Sequence, residues 1–398
     1  MQTSLHRRKI ALFVYFLIPG LALASWVTRT PAIRDAIGAS IAQMGMVLTG
    51  LSVGSMCGVL LSGYIIKKRG TKFTMLFGLS MVCISLISMA WGVIEGQQPL
   101  VGLGLGFFGF GVGTTEIAIN MDAAFVEQET GQHVMHTLHG CFSLGTLVGA
   151  LLGLAANYFD VPVSVHLLGV FVVAVFLLIK FSVPIPGGLG KEDGSAQQTL
   201  QLAHEQTSVW RDPRVLMIGF IVFAMALAEG AAYDWLPILL VDEHGFSAAL
   251  GSMIFVVFAA VMTIGRFAGG VLLKRFGRLV LMRSSIALVV LGVACIALGQ
   301  SQTLAAWAVV CWGLGAALGF PMALSAAAEG GGQMGERVKA VAIIGYVALL
   351  VGPPALGFVG HAFGLRGAML IVAGLAFAAI FLTSAMRSPR LPLATVAA

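Results

Sequence analysis

The chain has 398 residues, of which 58% are hydrophobic and only 10% charged, with a mean hydropathy of +0.96. Soluble domains carry about a quarter charged residues, so a water-solvated globule is excluded and a chain embedded in lipid is implied. The net charge of +6 sits in short clusters between apolar runs rather than along one stripe, which excludes a nucleic-acid-binding surface.

About 20 apolar residues carry a helix across a bilayer. Such runs fall near 10–28, 41–65, 74–94, 100–124, 134–158, 163–183, 213–237, 248–273, 279–299, 304–328, 338–360 and 366–386. The first follows His6-Arg7-Arg8-Lys9 and reaches Ala22-Leu-Ala24, in imitation of a secretory signal. Its length, and the spans that follow, make it the first transmembrane helix. The longest polar interruption, Pro184 to Arg211, separates six spans from six. The expected fold is therefore all-α and integral to the membrane, with twelve transmembrane helices in two pseudo-symmetric six-helix bundles. The bundles are 1–183 and 212–398, joined by a central loop over 184–211.

Lys and Arg set the orientation. Arg7, Arg8, Lys9, Lys67, Lys68, Arg69, Lys72, Lys180, Lys191, Arg211, Arg214, Lys274, Arg275, Arg278, Arg283, Arg337, Lys339, Arg387 and Arg390 fall on one side, against Arg29, Arg34 and Arg366 on the other. Both termini are expected in the cytoplasm of a cell inner membrane.

The halves repeat each other. Gly58, Gly63 and Gly70 recur as Gly265, Gly270 and Gly277, and Lys67-Lys68 as Lys274-Arg275. Gly109-Phe-Gly111 matches Gly313-Leu-Gly315, and Gly38-Ala-Ser40 matches Gly245-Phe-Ser247. Three matches in order, at nearly one offset, imply a duplicated unit. Parallel repeats of this kind place a solute site at their interface near mid-membrane.

On these features the chain resembles the major facilitator superfamily along nearly its whole length. Gly63-Tyr-Ile-Ile-Lys67-Lys68-Arg69-Gly70 looks like the family's signature between helices 2 and 3, except that the signature carries Asp where Lys67 stands. The Asp-centred clasp at the inner gate thus lacks its Asp at this position. Gly111-Val-Gly113-Thr-Thr-Glu116-Ile-Ala118-Ile-Asn120 is similar to helix 4 of the fucose–proton symporter branch. That resemblance implies a role for Glu116 in sugar and proton binding. The branch's helix 1 Asp has no counterpart in this first helix, Asp35 lying past its end, which argues against fucose itself.

Ionisable groups inside spans are functional candidates by default. Glu116 and Asn120, four apart, share a helix face, and a carboxylate beside an amide can bind solute hydroxyls and accept a proton. The alternative is a permanent pair with a buried base. Glu229, with Tyr233 on its face, is the second candidate, again against a structural pair. Gly230 and Pro237 mark a place where that helix can bend. Asp122 reads as an interfacial charge, and Asp234-Trp235 as part of the aromatic belt and outer gate. Arg266, two turns inside Lys274, either snorkels to the surface or pairs with an acid across the halves at the inner gate. His136 and His139 share a face, but two histidines alone make no metal site; His139 stays a site candidate. Trp26 and Tyr346 could stack on a sugar ring or simply pack. Gly63, Lys67, Lys68, Gly70, Arg266, Gly270, Lys274 and Gly277 form the expected gating set.

Other features carry less. Cys57, Cys83, Cys141, Cys295 and Cys311, odd in number and dispersed in apolar runs, form neither disulfide framework nor metal site. Gly104-Leu-Gly106-Phe-Phe-Gly109 fits a dinucleotide fingerprint by letter but follows no strand. Gly352-Pro353-Pro354 reads as a break in helix 11. There is no Walker motif, so no ATP drive, and no metal or other cofactor is expected. The reading is a monomeric secondary transporter rather than an enzyme, with a small polar solute such as a sugar, a proton and the lipid bilayer as partners. Its alternatives are a proton-coupled exporter of metabolites or drugs, and a membrane solute receptor that does not transport.

Overall fold

The computed structural model describes residues 2–130, 135–191, 209–329 and 334–387, and these fold almost wholly into helices, with no strand among them. In chain order the helices are α1 (Gln2–Val27), α2 (Thr30–Ala36), α3 (Ile41–Arg69), α4 (Thr71–Ile94), α5 (Gln98–Thr130), α6 (Met135–Tyr158) and α7 (Val163–Lys180). After the linker come α8 (Pro213–His244), α9 (Ala248–Phe276), α10 (Arg278–Leu298), α11 (Gln302–Ala327) and α12 (Met334–Leu382), closed by a 3-10 turn at Thr383–Met386. Eleven of these helices are long and apolar enough to cross a bilayer; α2, with seven residues, is not.

The expected count and the observed count differ at α12. Its 49 residues would span about 74 Å if straight, more than twice the hydrocarbon thickness. It is bent at Gly364, whose φ of 79° and ψ of 154° leave the helical region, so the two final predicted spans run on through one corner. Pro353 and Pro354 lie inside α12. The predicted break there is absent, and the interruption falls at the glycine, which alone tolerates such a φ without strain.

The repeated residues hold equivalent positions in the two halves. Ser40 caps α3 in a capping box with Gln43, and Ser247 caps α9 by accepting from the Leu250 N–H. Gly70 and Gly277, with φ of 84° and 73°, end α3 and α9 and start α4 and α10. Each donates its N–H back into the helix just finished, to Ile66 and Leu273 respectively. A side chain at either corner would force a left-handed φ on an L-residue. Gly63 and Gly270, by contrast, face open space.

Within the first spans, α3 and α4 pack on α5, and α1 packs on α6. Within the last, α8 packs on α12, and α11 on both α9 and α10. The α3–α5 seam is made of bare backbone. A Cβ on Gly50, Gly54 or Gly58 would run into the carbonyl of Gly102, Gly106 or Phe110, and one on Gly109 into that of Leu51. Small residues in this arrangement let membrane helices approach closely, which is the use of the glycines that imitate a nucleotide fingerprint. Gly145 and Gly149 do the same for α6 against α1 at Leu17 and Leu21. Large apolar side chains stay exposed on the outside, Leu60, Trp91, Phe176 and Val271 among them, as contact with acyl chains requires.

Residues 181–183 and the first part of the central loop, 184–191, are non-helical, and the Leu189 carbonyl accepts from the Thr71 N–H at 2.9 Å. The rest of the polar run, 192–208, lies outside the described residues. So does the His136 side chain.

Candidate functional site

The helices alternate in direction, so one face of the protein gathers the termini and the turns at Gly70 and Gly277. The other, here the far face, gathers α2, Gly245 and the corner at Gly364. Glu116 lies 18 residues into α5, and Tyr346 lies 18 residues before Gly364 on α12. Both are therefore about 27 Å of helix from the far face. They meet at that depth: Tyr346 is within electrostatic reach of Glu116. Glu116 makes no hydrogen bond or ion pair with any described residue, and one turn on, the buried Asn120 Oδ1 also lacks a partner. A carboxylate with spare hydrogen-bonding capacity thus lies within electrostatic reach of a phenol from the other half, with an unpartnered amide one turn along its own helix.

Glu229 and Arg266 are different. The Arg266 guanidinium reaches Glu229 Oε1 at 2.6 Å, and the two side chains are 27% and 19% exposed. Arg266 also donates to Ser143 Oγ of α6 at 3.3 Å. The expectation that Arg266 snorkels to the surface is wrong, because a buried carboxylate within reach binds it more strongly than the distant headgroups. The pairing alternative was also misplaced: the acid comes from the same half, and only a hydroxyl comes from the other. Tyr233 stands beside this pair with its ring edge-on to Phe255 and Phe258 and its hydroxyl buried without a partner.

The remaining candidates are more scattered. Trp26 is buried edge-on against Phe108, its indole N–H unpartnered. His139 is exposed, its ring edge-on to Phe16 at 5.1 Å. In the gating set, Lys67, Lys68 and Lys274 are exposed, with the Lys68 ammonium over the Tyr64 ring. Among the described residues no group of three His, Cys, Asp or Glu could hold a metal ion.

Two acids are more enclosed than the sequence reading made them. Asp122 lies toward the face that gathers the termini, as expected, but is 0% exposed, accepting from Arg8 Nε at 2.6 Å and Thr71 Oγ1 at 3.0 Å. It ties the starts of α1 and α4 to α5. Nothing in sequence spacing links Arg8 to Asp122, so only the packed structure could reveal them. Asp234, read as part of the outer gate, is 6% exposed within α8 and so enclosed rather than open to solvent.

The far ends of the halves are joined. Arg34 of α2 bridges Asp35 and Asp242 of α8. Asn157 of α6 donates to Ser252 of α9 at 2.6 Å and to the Thr28 carbonyl at 3.0 Å. Deeper in, Ser52 of α3 donates to the Leu349 carbonyl of α12 at 2.6 Å. Gly45 packs against Gly357 and the Pro353 carbonyl, backbone on backbone.

Comparison with known proteins matches this architecture. The sequence profile of the Major Facilitator Superfamily aligns with residues 10–349. An uncharacterized MFS-type transporter of Yersinia pestis is 28% identical over 91% of this chain and 93% of its own. A mutant of the nucleoside transporter NupG superposes with a TM-score of 0.78 at 17% identity, over 95% of this chain and 99% of that one. The Escherichia coli fucose:proton symporter FucP gives 0.67 at 15% identity, over 96% and 98%. At such identities the two structures speak for the fold alone. With eleven spanning helices and a profile match over most of its length, the chain is a multi-pass membrane transporter, not an enzyme, and belongs to the major facilitator superfamily.

Proposed function

We propose that the protein is a proton-coupled symporter of a small polar solute, a sugar or sugar derivative, working by alternating access. The observation that carries this reading is the mid-depth approach of Glu116 to Tyr346 across the two halves, with the unpartnered Asn120 one turn from Glu116. Unsatisfied polar groups buried in a membrane protein are costly, and hydroxyls of a bound solute would satisfy them. Glu116 accepts the coupled proton, while Tyr346 supplies an apolar ring face for a sugar. In this reading the Glu229–Arg266 pair, with Tyr233 beside it, contributes the second half's charged groups to the solute path.

Residues 1–183 and 212–398 rock as two bundles, with 184–211 as the connecting loop. The joined far face corresponds to the state closed to the outside, given the cytoplasmic termini that the basic loops favour. By their names NupG carries nucleosides and FucP fucose, solutes of the class proposed here, although the likeness itself is one of fold.

The test is uptake into proteoliposomes under an imposed proton gradient, with labelled sugars, sugar acids and nucleosides. Accumulation driven by the gradient is expected for at least one of them, and Glu116→Gln should abolish it. Undiminished accumulation in Glu116→Gln removes Glu116 from the coupling, and solute moving against the proton flow makes the protein an exporter.

A further inference from the structure

Asp234 is, beside Glu116, a second carboxyl in the described spans with no hydrogen-bond or ion-pair partner. It lies in α8, 6% exposed, and no hydrogen bond or ion pair reaches it from any described residue. Its Oδ2 lies near Gly230, beside Leu349 of α12. That leucine's carbonyl is the one Ser52 of α3 engages across the halves. The next residue, Trp235, lays its ring edge on the Gly357 that packs against Gly45. Asp234 therefore sits immediately behind the far-face seal.

The charged and titratable groups that contact one another on the surrounding helices are engaged elsewhere, and Lys274, Arg275, Lys339 and His361 of α9 and α12 make no ion pair or hydrogen bond with Asp234. On α8 itself, Glu229 is held by Arg266 of α9, and Asp242 by Arg34 of α2, beside Asp35. Tyr233 packs on phenylalanines of α9. Glu243 and His244, near the end of α8, meet Arg366 of α12. Elsewhere α12 brings Tyr346, which faces Glu116, and α11 contributes only Cys311. From α1, Tyr15 donates to the Leu178 carbonyl. Among the described residues no cation of these helices makes a hydrogen bond or ion pair with Asp234.

We propose that Asp234 carries a proton while the far face is closed, and that loss of this proton opens the seal. An ionised carboxylate withdrawn from water with neither cation nor donor is strongly disfavoured. The closed seam thus accommodates the O–H form, and the ionised form requires the water that an open far face admits. In the cycle, Asp234 takes its proton from far-face water while open and returns it to water on the opposite side before reopening. This rests on the transporter reading above and adds to it a second proton site, distinct from the solute-contacting Glu116.

The test uses the full chain in lipid vesicles and needs no solute. Infrared spectra across a pH titration are expected to show the carbonyl stretch of a protonated carboxyl that disappears in Asp234→Asn and survives in Glu116→Gln. Spin labels at Ala36 and Leu250, on opposite sides of the far-face seam, should separate as pH rises. In Asp234→Asn they should stay close at every pH, and Asp234→Glu should restore the response. A protonated-carboxyl band unchanged in Asp234→Asn, or label distances whose pH response that substitution leaves intact, overturns the proposal. Either failure leaves the Glu116 reading standing, because Glu116 is judged by solute accumulation.

Discussion

The Glu229–Arg266 pair offers the sharpest test of how the cavity wall is held. Its closest approach is 2.6 Å with the two side chains a fifth to a quarter exposed. Removing one partner of a buried pair costs about 3–5 kcal/mol, and the partial exposure here places the loss at about 3 kcal/mol, near the lower end. Arg266→Met also removes the bond to Ser143, worth about 1 kcal/mol more in this conformation. Glu229→Gln leaves a cation facing a neutral amide and should cost about 2–3 kcal/mol by the same reasoning. The double variant leaves neither charge exposed to the other's absence. A double-mutant cycle on unfolding in detergent is therefore expected to give a coupling of about 2–3 kcal/mol, against a few tenths for independent sites. Strictly additive single losses would refute the pairing. The transport activity of the double variant then assigns the pair's role: a stable but inactive protein places it on the solute path, a stable and active one makes it a strut.

Three further outcomes follow from the geometry. Gly54→Ala drives a methyl into the Gly106 carbonyl and should destabilise the protein by about 1–3 kcal/mol, whereas Gly63→Ala, facing open space, should stay within about 0.5 kcal/mol; thermal unfolding of the two side by side checks the seam. Asp122→Ala strands Arg8 in the interior and should lose about 3–5 kcal/mol, with much of it regained in the Arg8→Met/Asp122→Leu double variant; no recovery would mean that the anchor to Thr71 matters more than the charge. Arg34→Ala removes a partly exposed bridge worth up to about 1 kcal/mol. It should move the closed-to-open ratio at the far face about fivefold toward open, read as a longer spin-label distance.

Much of the fold was legible because lipid forces simple rules. Apolar runs and basic loops located the spans, and the offset of the repeat predicted that Ser40 and Ser247, then Gly70 and Gly277, would share roles; they do, as caps and corners. The proline pair in α12 misled, because a proline within a helix is compatible with helical φ and the flanking helices hold the segment straight enough to continue. The site was only half legible. Glu116 and Asn120 follow from spacing on one helix, but Tyr346 joins them only through the packing of α12. The partners Arg8 with Asp122, and Arg266 with Ser143, lie more than a hundred residues apart, and no local periodicity could pair them. How fully Asp234 is enclosed was not legible, because hydropathy counts residues along a helix and not the neighbours that close around each one.

The backbone contact of Gly45 with Gly357 and the Pro353 carbonyl has a mechanical consequence. A door whose faces are mostly peptide groups and hydrogens has few side chains to untangle and little hydration to rebuild when it swings. When it moves is therefore left to the few polar links along the rim, the Arg34–Asp242 bridge and the Asn157–Ser252 bond, and to one carboxyl behind the hinge line.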